Sequence, residues 1–204
     1  MNILAIGAHP DDIEFGCGGT LLNYSRKGHN VFLLVLTNGG FGGDPAVRAK
    51  EQEAAVAFLG AKSLFWGQFE DTELTDSREL ILKIEETIHK ASPDVVLFNY
   101  FDDVHQDHRA VCHGGISATR YLKQVFFYEV PTTQNFVADI FVDISGVLED
   151  KLKLLGLHAS QVSKTGVEKL SILESATSCA NFRGFQARVK YAEGFKPSRY
   201  LLNI

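Results

Sequence analysis

Cysteine is scarce in this 204-residue chain: Cys17, Cys112 and Cys179 are odd in number, widely spaced and form no CxxC pair. That usage suits a reducing compartment and provides no thiolate zinc cluster, so any metal must be held by histidine and carboxylate. Long apolar runs are missing as well. The longest, such as Val31 to Leu36, are strand-sized, far short of the ~20 residues that a membrane helix needs, so no membrane span is expected. The N-terminus has neither a cationic start nor a small-residue cleavage site, and Asp11 and Asp12 follow at once. It does not read as a signal peptide, and the cytoplasm is the expected location. Positive charge is also in deficit: twenty Lys and Arg face twenty-five Asp and Glu, a formal charge of -5. Nucleic acid is therefore not an expected partner. Neither repeat nor linker nor composition shift divides the chain, and one domain over residues 1–204 is expected.

What the chain does have is alternation. Apolar, β-branched-rich runs at Ile3–Gly7, Val31–Thr37, Leu64–Trp66, Val95–Asn99, Val125–Tyr128 and Ile140–Ile144 read as strands. Helical stretches separate them at Phe15–Lys27, Ala46–Leu59, Ser77–Lys90 and Val147–His158, the first two closed by Gly28 and Gly60. The unbroken run Val31–Leu36 fits a strand buried on both faces. The fold class is therefore α/β: Rossmann-like, a mainly parallel sheet with helices on both faces. The segment from Ser160 to Ser178 is polar and yields no element.

Chemistry concentrates at two strand ends. After the first strand comes His9-Pro10-Asp11-Asp12-Ile13-Glu14, running into Gly16, Gly18 and Gly19. His9 and Asp12, three residues apart, can turn to one point and offer the imidazole and carboxylate that suit zinc, leaving Asp11 beside the metal and uncoordinated. The plainer reading is that both aspartates cap the following helix. The glycines do not keep dinucleotide-fingerprint spacing, since Leu21 stands where the third should be. Close packing of the helix on the sheet explains them more simply.

The fourth strand ends in Asp102-Asp103-Val104-His105-Gln106-Asp107-His108-Arg109. His105 and His108 fall on one side of a helical turn, while Asp107 points elsewhere and could orient a ring nitrogen. His29, His89 and His113 read as ordinary surface or core histidines, and His158 is left open. Two polar clusters at carboxyl ends of strands lie on the sheet edge where ligands of such folds bind.

These residues resemble the LmbE-like and PIG-L zinc-dependent N-deacetylases. His9-Pro10-Asp11-Asp12 with the glycines through Thr20 is similar to the family's first signature, and His105-Gln106-Asp107-His108 to its second. Further likenesses run along nearly the whole chain: Thr37-Asn38-Gly39, Arg48 with Glu51, Tyr128-Glu129, Lys151, His158-Ala159-Ser160-Gln161 and Ala192-Glu193-Gly194-Phe195. Gln106 stands where the second signature commonly has proline. Ile13 stands where many members carry an acid, a form similar to the branch that includes bacillithiol-pathway deacetylases.

The resemblance implies removal of the acetyl group from an N-acetylglucosamine-type conjugate. It implies His9, Asp12 and His108 as metal ligands, with water in the remaining position and Asp11 as the base that takes its proton. A metal would lower that water's pKa from 15.7 toward roughly 7. His105 would stabilise the oxyanion, with Asp107 favouring its charged form, and Arg48 would contact the substrate. The metal would be Zn(II), with Fe(II) suited by the same ligands, and assembly as a trimer or hexamer is implied. Two rivals stand beside this reading: a two-metal phosphoesterase bridged by Asp11, Asp12, Asp102, Asp103 and Asp107, and a non-catalytic sugar- or nucleotide-binding module.

Overall fold

A computed structural model describes residues 1–202. Strands β1 (Asn2–Gly7), β2 (Asn30–Thr37), β3 (Ser63–Phe69), β4 (Val95–Asn99) and β5 (Gln124–Tyr128) pair in parallel. Two more, β6 (Ile140–Asp143) and β7 (Ala192–Tyr200), join antiparallel, giving the order β3-β2-β1-β4-β5-β7-β6. The helices are α1 (Asp12–Arg26), α2 (Pro45–Leu59), α3 (Arg78–Ala91), α4 (Gln106–Ala118), α5 (Leu148–Gly156) and α6 (Ile172–Ala187).

The strand periodicity of two explains the apolar run in β2. Val31, Leu33 and Val35 join one core with α1, α2, α5 and α6, while Phe32, Leu34 and Leu36 join the other with α3 and α4. The mainly parallel sheet with helices on both faces agrees with the sequence.

Three elements differ from expectation. α1 starts at Asp12 and not at Phe15, so the first motif reaches into the helix. α6 forms partly inside the stretch that looked patternless, opened by a capping box in which the Ser171 hydroxyl accepts from the Glu174 N–H and the Glu174 carboxylate accepts from the Ser171 N–H. β7 was not expected, because its sequence AEGFKPSRY has no apolar alternation; its place is secured by pairing to β5 on one side and β6 on the other. Its Glu193 is buried, accepting from the N–H groups of Gly19 and Thr20 at 2.8 and 2.7 Å and from Lys151 Nζ at 2.6 Å. This buried ion pair ties α1, α5 and β7 together.

The glycines of α1 serve close packing. A Cβ at Gly16 would stand 2.1 Å from the Tyr128 ring, and one at Gly19 would stand 2.8 Å from Ile144. Tyr128 cannot retreat: it is fully buried, and its hydroxyl donates to the Ile6 carbonyl at 2.7 Å. Gly16→Ala is therefore expected to destabilise the fold by about 3 kcal/mol, lowering Tm by roughly 6–12 °C in a thermal melt. An unchanged melt would refute this packing account.

Candidate metal centre

β2 lies on one side of β1 and β4 on the other, so the chain leaves β1 and β4 in opposite directions. A crevice opens beyond their carboxyl ends, the topological switch point where α/β sheets take ligands. The first motif follows β1 and the second follows β4. Their side chains meet there.

His9 Nδ1 and His108 Nε2 lie 3.3 Å apart, His108 Nε2 is 3.3 Å from Asp12 Oδ1, and His9 Nδ1 is 3.6 Å from Asp12 Oδ2. A tetrahedral ion with bonds of about 2.0–2.1 Å needs ligand atoms separated by about 3.3–3.4 Å. Two imidazole nitrogens and the two oxygens of one carboxylate, all buried, thus converge at close to this spacing and are donors of the kind zinc takes.

Each of these histidines is backed by carboxylate on its other nitrogen. His9 Nε2 lies 3.0 Å from Asp71 Oδ1 and 3.1 Å from Asp107 Oδ2, while His108 Nδ1 lies 3.2 Å from Asp103 Oδ1. Such partners fix the tautomer and leave the facing nitrogen free to ligate. Burial alone would lower both imidazole pKa values, but Asp107, Asp12 and Asp71 raise His9 well above its ordinary value. Asp12 and Asp103 likewise carry His108 to about 9.

The carboxylates behind the rings are themselves held. Asp107 accepts from the N–H groups of Thr72 and Leu74, and Asp103 from the N–H of His105 and the hydroxyl of Thr133. Asp103→Asn is expected to weaken metal affinity roughly 10–100-fold, with turnover recovered at high metal concentration. A zinc titration followed by a competing chelator checks it, and unchanged affinity would remove Asp103 from this role.

The position of Asp107 corrects one expectation. Its carboxylate serves His9 and not His105; only its backbone N–H meets His105, donating to Nδ1 at 3.2 Å. Burial pushes the His105 pKa down, and the neighbouring His9 and His108 push it further, outweighing the opposing charges of Asp107 and Asp12. With Nδ1 accepting a hydrogen bond, the neutral ring carries its proton on Nε2, which makes His105 a hydrogen-bond donor without a charge.

Asp11 does not cap α1 with its side chain. It occupies the N-cap position at φ 95°, with no side-chain cap bond. A non-glycine residue held at positive φ is strained, and its carboxylate is spared for another use. Although the side chain keeps 24% exposure, it lies in the cleft. Burial raises its pKa to about 6, partly offset by Arg48.

Arg48, expected at the substrate, is buried; Nη2 donates to the Pro10 carbonyl at 2.7 Å, Nη1 donates to the Gly39 carbonyl at 2.8 Å, and Nη2 lies 3.6 Å from Asp11 Oδ1. It clamps the Asp11 turn to the glycine loop. His158 is buried behind this turn, 3.5 Å from Glu14 Oε2.

Asp71 does not stand out in the sequence, and Asp103 reads there only as a bridging carboxylate. Both sit among other acids, Glu70 and Glu73 or Asp102, with no spacing to single them out. Gln106 is the first residue of α4, where proline is well tolerated because that N–H has no helical partner; its substitution there leaves the ligands in place.

Comparison with known proteins adds to this geometry. A family model described as PIG-L, GlcNAc-PI de-N-acetylase, matches residues 4–119. The chain is 35% identical over 150 residues to an uncharacterised deacetylase, YaiS, of Escherichia coli K12, covering 70% of this chain and 81% of that protein. It is 30% identical to the diacetylchitobiose deacetylase of Thermococcus kodakarensis, covering 95% of this chain and 82% of that protein. Among solved structures, the conserved protein TT1542 of Thermus thermophilus superposes with a TM-score of 0.89 at 27% identity, covering 100% and 97% of the two chains.

Proposed function

The chain belongs to the PIG-L family of de-N-acetylases, and from that premise we propose that it removes the acetyl group from an N-acetylated amino-sugar conjugate with the help of one zinc ion. The observation that carries the reading is the meeting of His9 Nδ1 and His108 Nε2 at 3.3 Å, each within 3.3–3.6 Å of a different oxygen of the Asp12 carboxylate, with a further carboxylate, Asp11, at the same turn. His9, Asp12 and His108 would hold the metal. Zn(II), or Fe(II) with the same donors, would supply Lewis acidity, lowering the pKa of water and polarising a carbonyl.

The chain's own groups perform the proton and charge management. Asp11, a stronger base than an ordinary carboxylate because of its burial, takes the proton from the attacking water. The acetamide carbonyl oxygen becomes an oxyanion as the tetrahedral centre forms, and the Nε2–H of His105 donates to it; its collapse breaks the C–N bond, and the proton that Asp11 took passes to the leaving nitrogen. Asp107 and Asp71 hold His9, and Asp103 holds His108, so that the ligands need no reorganisation. Arg48 fixes the Asp11 turn through its bonds to the Pro10 and Gly39 carbonyls.

The two-metal phosphoesterase is disfavoured by the same contacts. Asp103 and Asp107 are committed to His108 and His9, and Asp102 bonds the exposed Asn135 side chain at 2.9 Å, which leaves few carboxylates to bridge a second ion. Acetate and free-amine release from N-acetylglucosamine conjugates tests the reading, comparing chelator-stripped protein with protein reloaded with one equivalent of zinc. Metal-restored release is expected. Absence of release with metal demonstrably bound would refute it.

A further inference from the structure

Glu129 and Arg183 take no part in holding the metal or moving protons, yet they form a charged pair at the wall of the cleft. Glu129 follows directly on β5, and Thr132, a little further on, brings Oγ1 to 3.3 Å from His108 Nδ1. That length of chain spans at most about 11 Å, so Glu129 borders the part of the cleft that holds the metal centre, and its side chain is among those lining it. Arg183 reaches it from α6. Nε donates to Oε1 at 2.5 Å and Nη2 to Oε2 at 2.6 Å, a bidentate fork. The guanidinium is held in turn: Nη1 donates to Gln186 Oε1 at 2.8 Å, and the Phe136 ring centre lies 5.3 Å from Cζ.

Fold stability does not account for the pair. Burying two charges costs solvation that their attraction roughly offsets, and apolar side chains of similar volume often serve a fold as well or better. The Lys151–Glu193 pair also joins distant elements, but its side chains are closed off at 4% and 3% exposure. Glu129 keeps 16% exposure, against 7% for Arg183, so the accessible end of the pair is the carboxylate. An ionised carboxylate offers about four lone-pair sites. Arg183 fills two, and the Cys179 thiol, 3.5 Å from Oε1, fills another. The remaining site, on Oε2, has no partner among the described residues. With its charge already balanced by the guanidinium, that oxygen suits a neutral donor, and hydroxyls are the neutral donors in which a sugar is rich.

We propose that Glu129 is a specificity-determining contact to the sugar: Oε2 accepts a hydrogen bond from one hydroxyl of the N-acetylated amino sugar, on a carboxylate that Arg183 keeps from turning away. The proposal rests on the deacetylase reading and adds to it a residue outside the reacting atoms. A site built to receive a hydroxyl penalises the analogue that lacks it, because its own polar group is then left unpaired.

The test measures kcat/KM of the zinc-loaded protein on the phenyl glycoside of N-acetylglucosamine and on its 3-, 4- and 6-deoxy analogues. One analogue is expected to lose roughly 10–100-fold against the parent, the usual effect of deleting a hydrogen bond to a charged group. Glu129→Gln, which keeps the shape and replaces the charged acceptor with a neutral one, is expected to shrink that loss by roughly fivefold or more. Each ratio is taken on one preparation, so a smaller folded fraction cancels, and a merely structural role would leave the ratio as it is in wild type. Losses below about tenfold for all three analogues in wild type, or a loss that Glu129→Gln leaves unchanged, would overturn the contact, while turnover of the parent keeps the deacetylase reading standing. Absence of turnover of the parent with metal demonstrably bound would overturn both.

Discussion

Replacing Asp11 with asparagine is expected to lower kcat for acetate release by roughly 10²–10⁴-fold, the usual worth of a positioned general base, while metal content stays at the wild-type level. Asparagine preserves the shape of the side chain and, like aspartate, is among the residues most tolerant of positive φ, so the turn at φ 95° is kept. No backbone N–H of α1 depends on the Asp11 carboxylate, and the two Arg48 bonds go to carbonyls that the substitution leaves alone. What is lost is the ability to accept a proton. Kinetics and elemental analysis of the same preparation decide the matter: turnover within threefold of wild type would refute the base assignment, and metal loss would make Asp11 a ligand.

The parts of this centre that were legible in the sequence are those written in local spacing. His9 and Asp12 share a turn, and His105, the N-cap of α4, lies one helical turn before His108, so each pair is recognisable without the other. Their meeting needed only the placement of two motifs at strand ends, which the βα alternation supplies. Asp71 and Asp103 were not legible in their roles because they reach the histidines through contacts made only by the fold: Asp71 across the β3 end to His9, and Asp103 to His108 within a loop pinned by Thr133. Asp107 shows the same limit from the other side. Two residues along a helix turn the side chain away from His105, so adjacency in sequence suggested a partner that geometry gave to His9. α6 and β7 escaped for a related reason. Neither carries a one-sided apolar pattern; α6 is anchored through Ala176 and Ala180, and β7 through strand pairing and the Lys151–Glu193 ion pair.

His108→Ala separates ligation from base catalysis. Removal of one of three protein ligands should cost more affinity than the 10–100-fold attached to an orienting partner, so the variant is expected to lose its metal to a chelator that wild type withstands, and its turnover with it. Two buried carboxylates, Asp12 and Asp103, also lose their shared partner. Leaving a buried charge without its counterpart costs about 3–5 kcal/mol, so the melting temperature of the metal-free variant is expected to fall below that of metal-free wild type. The three site variants therefore carry different signatures. Asp11→Asn keeps metal and loses turnover, Asp103→Asn regains turnover when metal is raised, and His108→Ala regains it least at any metal concentration. Wild-type metal content in His108→Ala would overturn the ligand set, because with Nε2 gone only His9 Nδ1 and the Asp12 carboxylate remain of the groups that converge there. His105 would be the group to examine in its place, since His9, His105 and His108 bring ligand atoms within 4.8 Å of one another.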